Sequence, residues 1–209
     1  MPAPKLWHVR HSRSLRPLWL AKEMGVDLEV ETIPNDRAYF ASEDWARINP
    51  AGKVPVLMDG ETRVAESVAI MEYLMATRGP TALAVPPGDP EFADWLFWLH
   101  YAEAGSCAYV ATYLGHVLGV ADYQVSDAHK ALLEGQIARM QGLVAAAVAD
   151  RDFLLARGFS AADVAMGYTL HLTRLTKTEL TPPVAAYMAR LDARPAFAEA
   201  LALGRKAKS

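Results

Sequence analysis

A proline at the head of a short apolar strand, with a helix start two strands later, limits what this chain can build more than any other feature. Residues 49–70 read Asn-Pro-Ala-Gly-Lys-Val-Pro-Val-Leu-Met-Asp-Gly-Glu-Thr-Arg-Val-Ala-Glu-Ser-Val-Ala-Ile. The pattern predicts a strand over 54–58, a tight Asp59-Gly60 turn, a second strand over 63–65, and a helix opened by Glu66-Ser67. Pro55 has no N–H for a sheet ladder, so the strand starts there and the backbone groups of Val54 are left for a ligand. A cis Val54-Pro55 bond would face those groups outward. Glu66-Ser67 supplies a carboxylate, a hydroxyl and unpaired helix N–H groups in one place. Such a place can hold an amino acid, its ammonium on the carboxylate and its carboxylate on the N–H groups.

The flanking sequence supplies elements for this stretch to join. Residues 5–9 read as a strand, 15–24 as a helix stopped by Gly25, and 28–32 as an alternating half-buried strand. A short helix is expected within 34–48, with Tyr39, Phe40 and Trp45 as anchors, and another helix over 68–76. Two strands joined through a helix pair in parallel, whereas the Asp59-Gly60 hairpin is antiparallel, so the expected sheet is mixed. From Gly79-Pro80 to Asp89-Pro90 the chain is rich in Pro and Gly and reads as a linker. Beyond it the pattern is helical throughout, over 90–118, 126–149, 160–175, 183–192 and 195–205. Ser160-Ala-Ala-Asp163 starts one of these helices as a capping box, with Phe159 and Val164 placed as a hydrophobic staple.

Bulk properties exclude several classes of function. With 52% hydrophobic residues among 209, the chain fills one large or two small cores. Its net charge of -3 carries no footprint for nucleic acid. The start lacks a basic and apolar leader, and no apolar run reaches membrane-spanning length, so a cytoplasmic protein without membrane association is expected. A single cysteine, Cys107, rules out an internal disulfide and a Cys-x-x-Cys pair. His8 and His11 do not make a metal pair, since one lies in a predicted strand and no third ligand is placed beside them. No metal is expected.

Gly-Lys-Val-Pro-Val-Leu followed by Glu-Ser-x-Ala-Ile resembles the glutathione-binding half of the thioredoxin-like domain in the glutathione S-transferase family. Arg157-Gly-Phe-Ser-Ala-Ala-Asp163 resembles the capping motif of that family's helical domain, and Ala193-Arg-Pro-Ala-Phe197 the start of its terminal helix. The resemblance implies an α/β thioredoxin-like domain over 1–78, a linker over 79–89 and an all-α domain over 90–209.

A transferase of this kind must hold a thiolate at neutral pH. A free thiol has a pKa of about 8.5, so lowering it by about two units makes the thiolate dominant. A hydroxyl donating to sulfur and the positive end of a helix both serve, and Ser12 and Ser14 lie where the two converge. By resemblance to the serine-type branch, whose serine precedes a helix-opening arginine by four residues, Ser12 is the catalytic residue. Ser14 is the second candidate, with helix N-cap as its other role. The resemblance implies that Glu66 and Ser67 hold the γ-glutamyl group, that Val54, beside Pro55, pairs with the cysteinyl backbone, and that Lys53 meets the glycyl carboxylate. Arg13 is placed against the thiolate or a substrate.

A small apolar electrophile would meet the first long helix of the second domain, where Trp98, Tyr101, Tyr109 and Tyr113 carry aromatic surface. Conjugation of glutathione to that electrophile is the implied reaction. A glutathione-dependent reductase, peroxidase, dehalogenase or ether-cleaving enzyme, or a non-catalytic binding module, fits the same motifs. The family also implies a homodimer, for which Phe40, Trp45 and Met75 are candidate anchors.

Overall fold

The computed structural model describes residues 3–203. The chain divides into two compact units: residues up to Thr81 together with those from Arg194 on, and Ala82–Ala193.

The first unit opens with β1 (Lys5–His8), α1 (Leu15–Glu23), β2 (Glu29–Thr32), α2 (Arg37–Phe40), α3 (Glu43–Ile48), β3 (Val56–Asp59), β4 (Thr62–Ala65) and α4 (Ser67–Arg78). The strands form one sheet in the order β2-β1-β3-β4. β1 and β2 are parallel, whereas β1–β3 and β3–β4 are antiparallel, giving the mixed thioredoxin-like sheet. β1 is central and covered on both faces, so Leu6, Trp7 and His8 are all buried. β2 lies at the edge, where Lys5 reaches across the ladder to Glu29 at 3.2 Å and Glu31 at 2.8 Å. On one face Trp7, Val9, Ile33, Trp45 and Val56 form a cluster, with Tyr39 and Phe40 packed against it. Leu6 and His8 alternate to the opposite face.

The segment 34–48, expected to hold one short helix, holds two. Asp36 accepts from the Ala38 and Tyr39 N–H groups to cap α2, and Ser42 accepts from the Trp45 N–H to cap α3. Two capping side chains divide the segment into two helices. Trp45 is only 1% exposed and belongs to the core. It is therefore unavailable as a dimer anchor, and Met75 is likewise buried. Burial of such large apolar side chains contributes about 2–3 kcal/mol each to this unit.

The second unit is helical: α5 (Phe92–His100), a π-helical stretch (Tyr101–Cys107), α6 (Ala108–Val117), a 3-10 turn (Ala121–Tyr123), α7 (Asp127–Ala147), α8 (Ala161–Leu175) and α9 (Pro182–Asp192). Every residue from Ala161 to Thr173 is buried, so α8 runs through the middle of this unit. Residues 90–118, expected as one regular helix, contain the wider π turn. The Ser106 hydroxyl donates to the Tyr101 carbonyl at 3.0 Å, and the Thr169 hydroxyl donates to the Ala102 carbonyl at 2.8 Å. A Cβ at Gly105 would lie 2.1 Å from the Tyr101 ring, so a larger residue there must displace that side chain.

Asp163 of α8 accepts from the Ser160 N–H at 2.8 Å, the Leu154 N–H at 3.0 Å and the Tyr187 hydroxyl at 2.8 Å. It is a structural cap. The expected linker is partly built into the same unit. Leu83 and Val85 are buried, and the Leu83 carbonyl accepts from the Trp95 indole and the Ala161 N–H.

The last described helix, α10 (Pro195–Ala202), packs with α1 in the first unit. This corrects the placement of everything after residue 90 in the helical domain, and the expected helix end at Arg205 lies outside the described residues. The Phe197 ring lies 4.3 Å from that of Trp19. The Arg194 guanidinium grips the Glu23 carboxylate with two bonds of 2.7 Å each. Lys22 pairs with Glu199 at 3.0 Å.

Candidate functional site

Strand register gathers the candidate residues of the first unit. Trp7 pairs with Val56, and Val56 pairs with Ala65. The residues after β1, before β3 and after β4 therefore leave three neighbouring strands at one end of the sheet. Two strand spacings separate β1 from β4, about 9–10 Å, close to the reach of an extended tripeptide at about 3.3–3.6 Å per residue. The chain leaves β1 toward α1 and leaves β4 directly into α4, so both helices start at this end.

The loop after β1 is tight. The Ser12 N–H donates to the Val9 carbonyl, the Leu15 N–H donates to the Ser12 carbonyl, and His11 adopts φ 60°. Ser12 is half-buried, whereas Ser14 is fully enclosed at 0% exposure. Their hydroxyl oxygens are 2.6 Å apart, and the Ser14 N–H donates to the Ser12 oxygen at 3.2 Å.

Ser14 occupies the N-cap position with helical dihedrals, but its side chain makes no cap bond. It turns inward, accepting from the Val9 N–H at 3.2 Å and lying 2.8 Å from His8 Nδ1. Of the two serines, Ser12 is the one a ligand can reach. Arg13, between them, is half-buried.

At the head of β3 the Val54-Pro55 bond is cis. Val54 lies just outside the ladder, which begins at Val56. Asn49 braces the loop before it, donating from Nδ2 to the Lys53 carbonyl at 2.7 Å and accepting from the Ala51 N–H at 3.1 Å. The Lys53 side chain itself is exposed.

Glu66 holds the N-cap position of α4 in a left-handed conformation, φ 73°, exposed and making no cap bond. Its carboxylate is thus not spent on its own helix. The side chain of the next residue, Ser67, is buried and accepts from Arg16 Nη1 at 3.1 Å. Arg16 is 0% exposed, so a buried cation in α1 ties the two helix starts together.

Three residues here escaped the sequence reading. Asn49 shapes the Lys53–Val54 loop, Arg16 supports Ser67, and His8 supports Ser14. The spacing of Ser12 and Arg16 marks a helix start, but nothing local reveals that the guanidinium reaches a serine 51 positions away. His8 shares the inward face with Leu6, which the alternation of β1 does show. Burial, chiefly, and the nearby His11 lower the His8 pKa to about 4, against a small opposing effect of the Leu203 carbonyl. His8 is neutral near pH 7.

In the second unit Tyr101, Tyr109 and Tyr113 are half-buried. Tyr101 stacks on Phe97 with centroids 5.2 Å apart, and burial raises its pKa. Tyr109 and Tyr113 share a face of α6 at i, i+4 spacing. The Tyr113 hydroxyl donates to Glu134 of α7 at 2.8 Å, which raises its pKa. Trp98 is buried, so it is core and not pocket surface. No cluster of metal-ligating side chains occurs among the described residues, and none of their helices is long and apolar enough to cross a membrane.

Residues 2–76 match the model of the glutathione S-transferase N-terminal domain. A glutathione S-transferase 3 of Schizosaccharomyces pombe is 30% identical over 114 residues, covering 54% of this chain and 46% of that protein. The chain thus aligns with about half the length of that relative. Glutathione S-transferase GstA of Escherichia coli O157:H7 is 27% identical, with 85% of this chain and 84% of that protein covered. Among solved structures, a theta class glutathione S-transferase from the citrus canker pathogen Xanthomonas axonopodis pv. citri, with glutathione bound, matches with a TM-score of 0.83. It is 26% identical, with both chains fully covered. The domain match, the relatives and the shared fold make this chain similar to the glutathione S-transferases in its N-terminal domain and in its overall architecture.

Proposed function

We propose that this protein binds glutathione at the end of its sheet, activates the thiol through Ser12, and transfers it to a small apolar electrophile. One observation carries the reading: Ser12 is an accessible hydroxyl at the start of α1, beside a fully enclosed serine that supports it. Glu66 takes the γ-glutamyl ammonium, the N–H groups of α4 and Ser67 take its carboxylate, and Val54 pairs with the cysteinyl backbone. Lys53 meets the glycyl carboxylate, and Arg13 flanks the thiolate. The glutathione-bound structure of a similar protein supports this occupant.

The magnitudes suffice. A hydrogen bond to a charged group contributes about 1.5–3 kcal/mol, which lowers a thiol pKa by about one to two units. The start of α1 adds about 0.3–1 kcal/mol. Together they bring a thiol from about 8.5 to near or below neutrality.

In this reading the electrophile meets the aromatic surface of Tyr101, Tyr109 and Tyr113, and the protein works as a homodimer. The test is the thiolate absorbance of glutathione titrated into the protein across neutral pH, with Ser12→Ala alongside. A thiolate signal that the substitution removes is expected, and an identical signal in the variant refutes the role of Ser12. Light scattering tests the dimer, which a monomer mass at micromolar concentration would overturn.

A further inference from the structure

Backbone can hold an extended tripeptide only where its own polar groups face outward and stay there. In a planar trans peptide the C=O and the N–H point in opposite directions, so fixing one fixes the other. The Lys53–Val54 bond is trans. Whatever holds the Lys53 carbonyl therefore aims the Val54 N–H.

Asn49 holds that carbonyl. Its side chain donates from Nδ2 to Lys53 at 2.7 Å and accepts at Oδ1 from the Ala51 N–H at 3.1 Å. The partners settle which way the amide is turned, since a backbone carbonyl only accepts and a backbone N–H only donates. The residue is itself anchored. It is 6% exposed, its N–H donates to the Trp45 carbonyl at 2.7 Å, and its carbonyl accepts from the Gly52 N–H at 3.0 Å. Gly52, at φ 64°, turns the chain back so that Lys53 comes within reach of the side chain. Trp45 belongs to the core cluster of this sheet face, and Val54 packs against the same cluster.

The identity of the side chain follows from its second bond. A turn in which residue 49 accepts from the N–H two positions on is served equally by Asp or Asn. Only an amide of this length both accepts there and donates to Lys53. With the Lys53 carbonyl turned toward Asn49, the Val54 N–H faces the opposite way. No backbone hydrogen bond engages that N–H or the Val54 carbonyl among the described residues.

We infer that Asn49 is a positioning residue: by holding the Lys53 carbonyl inward, it presents the Val54 N–H as a donor to the cysteinyl carbonyl of bound glutathione. The inference rests on glutathione as the occupant of this site, and it assigns the donor half of the Val54 pairing.

Asn49→Asp separates this role from a merely structural one. The carboxylate keeps the acceptor for Ala51 but faces the Lys53 carbonyl with a second acceptor. The peptide then turns over, and the Val54 N–H goes inward to the carboxylate. Calorimetry on the full chain compares glutathione with an analogue whose Cys–Gly amide is replaced by a saturated hydrocarbon link, which lacks the cysteinyl carbonyl. The substitution should weaken glutathione binding about tenfold and analogue binding less than about twofold. Amide exchange of Val54, followed by NMR, reads the peptide directly. In the unsubstituted chain the Val54 N–H should exchange freely until glutathione slows it, whereas in Asn49→Asp it should be slow with or without glutathione.

Unaltered glutathione affinity in Asn49→Asp, or an equal loss for both ligands, overturns the inference and leaves the glutathione reading standing. An unsubstituted chain that takes up no glutathione overturns both. Should Asn49→Asp fail to fold, exchange in the unsubstituted chain decides the matter: a Val54 N–H already protected in the free protein overturns the inference.

Discussion

Acidification acts on this protein in part through His8. His8 is buried in the central strand, its pKa lowered from 6.5 to about 4. In the unfolded chain the imidazole takes up a proton near its ordinary value, whereas the folded chain resists until about pH 4. Between these limits the unfolded state binds more protons, so stability falls as pH falls. The gap, at about 1.4 kcal/mol per tenfold, makes a loss of about 3 kcal/mol across the window. That is a large share of an ordinary domain's stability of about 5–15 kcal/mol.

Urea unfolding at several pH values between about 7 and 4, on the unsubstituted protein and on His8→Asn, isolates the effect. Other titrating groups are common to both proteins and cancel in the difference. The variant carries a constant offset from lost packing, so the slope is what matters: the unsubstituted protein should lose about 3 kcal/mol more. Parallel curves, or an NMR titration of His8 near its ordinary pKa, would refute the reasoning.

Glu66→Gln should weaken glutathione binding by about 1.5–3 kcal/mol, at least tenfold, while leaving the melting temperature nearly unchanged, because the carboxylate caps nothing. Calorimetry with the variant checks both halves, and unaltered affinity would remove Glu66 from the site. Asp163→Ala strands the Leu154 and Ser160 N–H groups and the Tyr187 hydroxyl. A loss of about 3–5 kcal/mol in urea is expected, and less than 1 kcal/mol would contradict the cap. Glu23→Ala removes both carboxylate contacts of Arg194 and the 2.8 Å acceptor of the Trp19 indole. Limited proteolysis should then cut near α10 first, and an unchanged digestion pattern would mean that the Trp19–Phe197 contact and the Lys22–Glu199 pair suffice to hold the helix.

How much of this was legible depends on how far each signal reaches. The Asp59-Gly60 hairpin, Pro55 at a strand head and the Ser160–Asp163 cap are written within a few residues of one another, and each forms as expected. The division of 34–48 into two helices was also local, but it turned on Asp36 and Ser42 as caps and not on the aromatic anchors. Long-range facts were not available. A helix such as 195–202 has the same pattern whichever unit it covers, so its contact with α1 was invisible.

The candidate site divides in the same way. Val54, Glu66 and Ser67 follow from backbone chemistry at element ends. Ser14, by contrast, reads from the sequence as a second catalytic candidate or a helix N-cap. Its inward turn depends on His8, and no local rule couples a strand histidine to a serine six positions later. Arg16 is harder still, since a buried arginine contradicts composition-based expectation until its partner across the fold is known.

The return of α10 to α1 has a consequence for how the protein comes to exist. The strand order and both helix starts of the site are complete once residue 78 has emerged from the ribosome. Yet Trp19, on the helix that follows the Ser12 loop, still lacks the Phe197 ring that covers it in the finished protein. The whole helical unit must be synthesised before that ring arrives. The end of the sheet that carries the candidate site is thus encoded first and finished last, and during the interval its first helix waits with an aromatic face unsealed.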